Sequence, residues 1–278
     1  MIRGGYRSRT MESIEEEARG LVENGAKELI LIAQDTTRYG IDLYGEYSLA
    51  KLMRRLCKID GLKWLRVLYC YPDALTDELL ETMAEEEKIV KYIDLPLQHA
   101  SARVLKRMNR TGDRESLTAL MKKIREKIPG VTLRTTLITG FPGETEEEFT
   151  ELAEFVKDIE FERLGCFAYS QEEGSLAAKM EGQVDEEVKL ERAQEAMDLA
   201  ESLGFAATAA HVGERAQVIV DGIEETEDGA ELIGHAWFQA PDSDGAVHLD
   251  ASEASVGDIL TVEFTDSFCY ELIGHVVE

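Results

Sequence analysis

The chain has 278 residues, 44% hydrophobic and 31% charged, which suits a globular protein with room for two domains. No apolar run approaches the roughly 20 residues that a membrane-spanning helix needs, and the polar segment Met1 to Thr10 carries no signal-peptide core, so the expected location is cytoplasmic. A net charge of −26 disfavours phosphate backbones and favours basic partners, while Cys57, Cys70, Cys166 and Cys269 show no C-x-x-C spacing and so offer no metal site.

Taken in chain order, Thr10 caps a helix with Ile14, Ala18, Leu21 and Val22 at helical spacing, and Glu28 to Gln34 reads as a buried strand. Leu49, Leu52, Met53 and Leu56 line a second helix before the strand Trp64 to Tyr71, which ends at Pro72. A third helix begins at Thr76, and Tyr92 to Gln98 is the next strand, in which Pro96 must mark an end or a bulge because it has no amide to donate. Helices follow at Ser101 to Met108 and Asp113 to Lys127, then the strand Thr132 to Thr139, which runs into Gly140-Phe-Pro-Gly-Glu144. Thr145 and Glu148 have capping-box spacing for a helix with Phe149, Leu152, Phe155 and Val156 on one face. Arg163 to Ser170 is the last strand of this region, and a helix from about Asp185 to Leu203 closes it.

Strands that alternate with helices predict an α/β unit with a parallel sheet, either open and doubly wound or part of a barrel. The pattern opens on a helix, so a preceding βα unit is expected to be absent. Beyond His211 short strands follow one another at Ala216 to Val220, Leu232 to Phe238, Val247 to Leu249, Ile259 to Phe264 and Tyr270 to Val277, the texture of a small antiparallel barrel. The expected domains are 1–208 and 209–278. The second is anionic almost throughout, with Arg215 its only Lys or Arg from His211 onward.

Gln34-Asp-Thr-Thr37, Gln98-His99 and Ser170 fall at the C-terminal ends of predicted strands, where parallel α/β folds place their sites. The turn from Gly140 to Thr145 either brings backbone close to a ligand or simply makes a tight strand-to-helix junction. Arg103, Lys106, Arg107, Arg110, Arg114, Lys122, Lys123, Arg125 and Lys127 form a basic stretch that reads as an RNA face or, more ordinarily, a solvated one. The five histidines show no paired spacing for a metal and are read as structural, and no local signature of a Ser-His-Asp or Cys-His nucleophile stands out.

Several blocks together resemble the methylthiotransferases of the radical S-adenosylmethionine superfamily. They are Arg3-Gly4 with Arg7-Ser-Arg9, Gln34-Asp-Thr-Thr with Tyr39-Gly40, Asp94 to Ser101, Leu105 to Arg110, Arg134 with Gly140 to Thr145, and Tyr169-Ser170 with Gly174. The Gln34-Asp35-Thr36 and Asp94 to His99 blocks resemble the ribosomal-protein branch (RimO type), and the terminal barrel resembles a TRAM domain of OB-like form. The resemblance implies a partial (β/α) barrel of radical SAM type that here lacks its first strand. It also implies S-adenosylmethionine as cofactor, 4Fe-4S clusters whose ligand cysteines this chain does not contain, and a chain that alone is an inactive fragment.

The activity so implied is transfer of a methylthio group to the β-carbon of an aspartate in small-subunit ribosomal protein twelve, after a 5′-deoxyadenosyl radical has abstracted hydrogen. The cofactor rim implied by the resemblance is Gln34, Thr36, Gln98, Arg134, Thr136, Ile138, Gly140, Phe167 and Tyr169, with Ile138 and Phe167 beside the adenine; no metal ligand and no catalytic residue is assigned. Arg7 and Arg9 either order a cluster loop or contact product. The basic ribosomal protein is expected on the acidic barrel, with no membrane and no tRNA. Two other readings are a tRNA methylthiotransferase and a non-catalytic binding module for a basic ribosomal protein.

Overall fold

A computed structural model describes residues 4–226, 229–250 and 254–277, so Arg3 and the acidic residues Glu227, Asp228, Glu253 and Glu278 lie outside the described residues. Five parallel strands run in sequence order: β1 (Glu28–Leu31), β2 (Trp64–Val67), β3 (Tyr92–Asp94), β4 (Thr132–Thr139) and β5 (Arg163–Ala168). The β1-β2 and β3-β4-β5 ladders join where the Leu65 and Cys70 amides donate to the Lys88 and Asp94 carbonyls and the Val90 amide to Leu65. A doubly wound sheet would reverse its order partway. This one does not, so of the two architectures open in the sequence the arc of a barrel is the one formed.

Alternation along β4 sets the two faces of the arc. Leu133, Thr135, Leu137 and Thr139 are buried, whereas Arg134, Thr136 and Ile138 are only partly so and point to the concave side. Against the convex face pack α1 (Met11–Glu23), α3 (Leu49–Leu56), α4 (Asp77–Glu85), α6 (Arg114–Lys127), α7 (Glu146–Ile159) and α8 (Glu186–Ala209), through Leu52, Leu80, Met121, Leu152 and Ala196 among others. A single helical turn, α2 (Ile41–Tyr44), and a short helix, α5 (Ala102–Arg107), lie at the strand tips. Side chains of Thr10, Thr76, Asp113 and Thr145 cap α1, α4, α6 and α7, and Thr145 with Glu148 closes the expected capping box.

The first three strands stop sooner than their apolar runs. The run of β2 breaks at Tyr69, whose φ is 59°. β3 ends at Asp94 because Pro96 has no amide, and the Thr135 hydroxyl bridges the gap, donating to the Leu95 carbonyl at 2.9 Å and accepting from the Leu97 amide at 3.3 Å. β1 pairs only with β2 among the described strands, and beside its free edge a cavity of about 450 Å³ is lined by Ile14, Leu21, Leu29 and Ile32.

The C-terminal strands β6 (Arg215–Thr226), β7 (Gly229–Ala236), β8 (Val247–Asp250), β9 (Ile259–Phe268) and β10 (Glu271–Val276) close into a barrel in the order β10-β8-β7-β6-β9. Val218, Val220, Leu232, Leu249, Val262, Phe264 and Leu272 fill it. The pairs are antiparallel except for β8 with β10, which is parallel and completes the closure, leaving no open edge. α8 runs past Leu203 to Ala209 because Gly204 lets Tyr270 of the barrel lie against the helix, where a β-carbon would come within 2.7 Å of the Tyr270 hydroxyl. No described helix is long and apolar enough to cross a membrane.

Candidate functional site

The barrel covers the concave face of the arc from its N-terminal end. It meets Glu28, Trp64, Tyr92 and Arg163, the first residues of β1, β2, β3 and β5. Arg66 is fully buried there, donating to Glu28 at 2.7 Å and to the Trp237 carbonyl at 3.0 Å while lying 4.8 Å from the Tyr92 ring centroid. His235 of β7 sits between Asp221 at 2.6 Å and Glu28 at 2.5 Å. Burial opposes its charge, but the hydrogen bonds to the two carboxylates outweigh burial and hold its pKa above the ordinary imidazole value. Burial likewise pushes the Glu28 carboxyl upward, but His235 and Arg66 outweigh it and set the pKa below the usual range.

Higher on the concave face, the Tyr92 hydroxyl donates to Asp244 of the barrel at 2.5 Å, and Arg134 lies 3.5 Å from Asp244 and 3.7 Å from Asp94. Asp94 is almost wholly buried and accepts the Tyr69 amide through Oδ2, while Oδ1 has no hydrogen bond. Burial raises the Asp94 pKa. This part of the rim is therefore a junction between the two domains: Arg134 is occupied by carboxylates from both.

The C-terminal tips are built differently. Gln98 adopts a left-handed φ of 73°, and its backbone is pinned on both sides, the amide donating to Thr136 and the carbonyl accepting from Ile138. Tyr169 is secured by its amide on the Thr139 carbonyl. Gln98, Ile138 and Tyr169 then line one cavity of about 550 Å³ together with Phe141, Leu176 and Met180. The wall is largely apolar. Yet the Tyr169 hydroxyl, on a residue only 8% exposed, has no hydrogen-bond partner among the described residues, an arrangement that costs stability unless a ligand or water completes it.

The remaining rim residues do not line this cavity. Gln34 is exposed beyond β1, and the Thr36 hydroxyl donates to the Leu68 carbonyl at 2.6 Å. Phe167 is 62% exposed on β5, and Thr136 and Arg134 lie further down the concave face of β4. The Gly140 amide donates to both carboxylate oxygens of Glu144, at 3.0 and 2.9 Å. Glu144 is also paired with Arg192 at 2.9 Å and lies 3.3 Å from His99. A β-carbon on Gly140, which has a φ of 70°, would meet Lys189 Cβ at 2.8 Å, so this glycine is required by the packing of α8.

The basic stretch is mostly neutralised by its own protein. Arg103 pairs with Glu148, Arg114 with Glu154 and Asp158, Lys122 with Glu126, Lys123 with Asp77, Arg125 with Glu162, and Lys127 with Asp77 and Glu81. Among the described residues Lys106, Arg107 and Arg110 are in no such ion pair, and the two arginines line the tip cavity, a placement that the charge pattern did not reveal. Nor could it reveal Phe141, Leu176 and Met180, which arrive from different loops.

S-adenosylmethionine, the ligand the rim residues imply, finds suitable surroundings in the tip cavity: an apolar wall for a flat base, the Gln98 amide for polar edges and the unpartnered Tyr169 hydroxyl. An iron-sulfur cluster does not fit the cysteines of this chain. Cys57, Cys70 and Cys166 are buried apart from one another, burial raises the Cys57 and Cys166 thiols to about 11 and Cys70 higher still, and Cys269 is exposed on the barrel. Among the described residues no three His, Cys, Asp or Glu side chains come together as a metal site.

A parallel α/β arc with a cavity at its strand tips has the site placement of parallel α/β enzymes, and a closed five-strand barrel is appended to it. Comparison with known families narrows this: the chain belongs to the Radical SAM superfamily, whose model matches residues 1–156, and a TRAM domain model matches residues 212–277. It is 48% identical over 276 residues to the ribosomal protein uS12 methylthiotransferase RimO of Clostridium botulinum (strain Okra / Type B1), covering 99% of this chain and 61% of that protein. It is 50% identical over 277 residues to the protein of the same name from Geobacter sulfurreducens, covering 99% and 62%. The chain thus spans about three-fifths of the length of these relatives. Among solved structures, coproporphyrinogen III oxidase (HemN) from Escherichia coli aligns over 82% of this chain and 57% of that one, with 14% identity and a TM-score of 0.48.

Proposed function

We propose that this chain carries the nucleoside-binding and substrate-docking parts of a methylthiotransferase acting on an aspartate of ribosomal protein uS12, with S-adenosylmethionine held at the strand tips. The tip cavity, in which Gln98, Ile138 and Tyr169 meet around an unpartnered buried hydroxyl, is the observation that carries the reading. The 48–50% identity to RimO proteins supports the substrate.

S-adenosylmethionine, when bound, supplies the hydrogen-abstracting chemistry. The chain's own residues perform the rest. Ile138 and Phe141 offer an apolar wall to the base, Gln98 and the Tyr169 hydroxyl offer hydrogen bonds to its polar edges, and the barrel covers the opposite end of the concave face. On this reading Gln34, Thr36, Arg134, Thr136, Gly140 and Phe167 stand around the cavity without lining it: Gly140 sets the turn out of β4 through its packing on α8, and Arg134 links the rim to the barrel. The cluster has no ligand set among the described cysteines, so the chain by itself is expected to bind without turning over.

The anionic barrel is the docking surface for the basic ribosomal protein, and it opposes tRNA phosphates. Pairing of Arg103, Arg114, Lys123 and Lys127 with acids weighs against an RNA face on α5 and α6. Isothermal titration of the chain with S-adenosylmethionine and with uS12 tests the reading. Binding of both is expected, with uS12 affinity falling as salt rises; preferential tRNA binding, or binding of neither probe, overturns it.

A further inference from the structure

Resting on that reading, we infer that Arg110, assisted by Arg107, forms a carboxylate-recognition site at the edge of the tip cavity, one that takes the side-chain carboxylate of the target aspartate. Three observations lead there. The first is an anomaly of charge. In a chain of net charge −26, where Arg103 and the cations of α6 are matched with acids, the charged side chains lining this cavity are two arginines and no acid. Arg107 and Arg110 hydrogen-bond to neutral acceptors instead: the carbonyls of Pro142 and Glu181 for Arg107, the Pro96 carbonyl and the Tyr71 hydroxyl for Arg110.

The second is rigidity. α5 ends in a Schellman-type turn, in which Asn109 takes a left-handed φ of 59°, its amide donates to Lys106 and the Arg110 amide donates back to Leu105 at 2.8 Å. That turn folds Arg110 over the strand tips, where its guanidinium stacks on Tyr71, 4.6 Å from the ring centroid, with hydrogen bonds of 3.0 and 2.9 Å to Pro96 and Tyr71. A guanidinium so fixed loses little freedom on binding, and its remaining N–H groups match a carboxylate fork. The third is position. Arg110 also lines a second, polar cavity of about 110 Å³ with Arg38, Tyr71 and Asp73, whose carboxylate is paired with Arg38, so it stands between the apolar nucleoside wall and an adjoining cleft. A carboxylate gripped there holds the neighbouring methylene carbon at the boundary of the two spaces, which is what hydrogen abstraction at a β-carbon requires.

The amino-acid carboxylate of S-adenosylmethionine is the other source of the same chemistry, and one set of titrations separates the two. The probes are S-adenosylmethionine and three lysine- and arginine-rich peptides that differ only in one central residue: aspartate, asparagine or glutamate. The unsubstituted chain should bind the aspartate peptide about tenfold more tightly than the asparagine peptide. Arg110→Gln should erase that preference with affinity for S-adenosylmethionine unchanged, and Arg110→Lys, which keeps the charge and loses the fork, should retain part of it. A merely structural strap would not move the aspartate-to-asparagine ratio. If the ratio persists in both variants, or if Arg110→Gln weakens S-adenosylmethionine instead, the assignment falls. Equal binding of all three peptides by the unsubstituted chain overturns this inference and leaves the proposed function standing; binding of no probe overturns both.

Discussion

The two ends of the parallel arc handle polar groups in opposite ways. At the N-terminal end, under the barrel, buried charges are paired with opposite ones across the domain junction: Arg66 with Glu28, His235 with Glu28 and Asp221, Arg134 with Asp244, which also accepts from Tyr92. At the C-terminal tips, Tyr169 keeps an unpartnered hydroxyl and Arg107 and Arg110 lack carboxylates. Matched burial fixes one arrangement of two domains. An unpartnered buried group costs stability; Arg66 Nη2, Arg163 Nε and Asp94 Oδ1 bear that cost inside the domain junction, whereas the Tyr169 hydroxyl belongs to a residue lining an open cavity, where a ligand can complete it.

The largest effect that would break this contrast is at the closed end. Arg66→Ala leaves Glu28 buried beside His235 without its second cation and should cost about 3–5 kcal/mol in chemical denaturation; a loss near zero would show that the network does not hold the barrel in place. Gly140→Ala comes next, at about 1–3 kcal/mol, because the new methyl meets Lys189 in a left-handed backbone. S-adenosylmethionine at saturating concentration should not restore that loss, since the glycine serves α8 and not the ligand.

The pH dependence has a defined sign. His235 is shifted above its ordinary 6.5, so its contribution is complete below that value and disappears as pH climbs through the raised one. Glu28 is shifted below its ordinary 4.5, so its contribution is present above that value and is lost as pH falls through the lowered one. Thermal melting should therefore place the firmest interface between about pH 4.5 and 6.5, and His235→Gln should flatten the alkaline side. Smallest of all, Thr145→Ala should cost about 1 kcal/mol through the lost cap of α7, read as a modest fall in melting temperature with ligand affinity intact.

How much of this was legible in the sequence follows from how local each signal is. Caps, the Pro96 break and the strand Thr132 to Thr139 depend on neighbours in the chain, and the structure shows them where the pattern put them. Strand order was not local: helix-strand alternation fits two architectures, and only the pairing of β2 with β3 decides between them. The parallel β8-β10 closure was equally out of reach, since hairpin spacing suggests antiparallel neighbours alone. At the site, Gln98 was reached from its place at a strand end and Ile138 and Tyr169 from the family resemblance, and the structure brings the three to one cavity, but the placement of Arg107 and Arg110 was hidden inside a run of charges. What distinguishes them is their place on the wall of a cavity, held by neutral acceptors that lie far off in the chain, and a one-dimensional pattern carries no record of that.

The contrast between the two ends is tested most directly by amide chemical-shift mapping of the whole chain during titration with S-adenosylmethionine. The account predicts perturbations clustered at Gln98, Ile138, Phe141 and Tyr169, with Glu28, Arg66 and His235 unmoved. Perturbations centred on the barrel interface, or scattered over the convex helices while the tips stay silent, would contradict it.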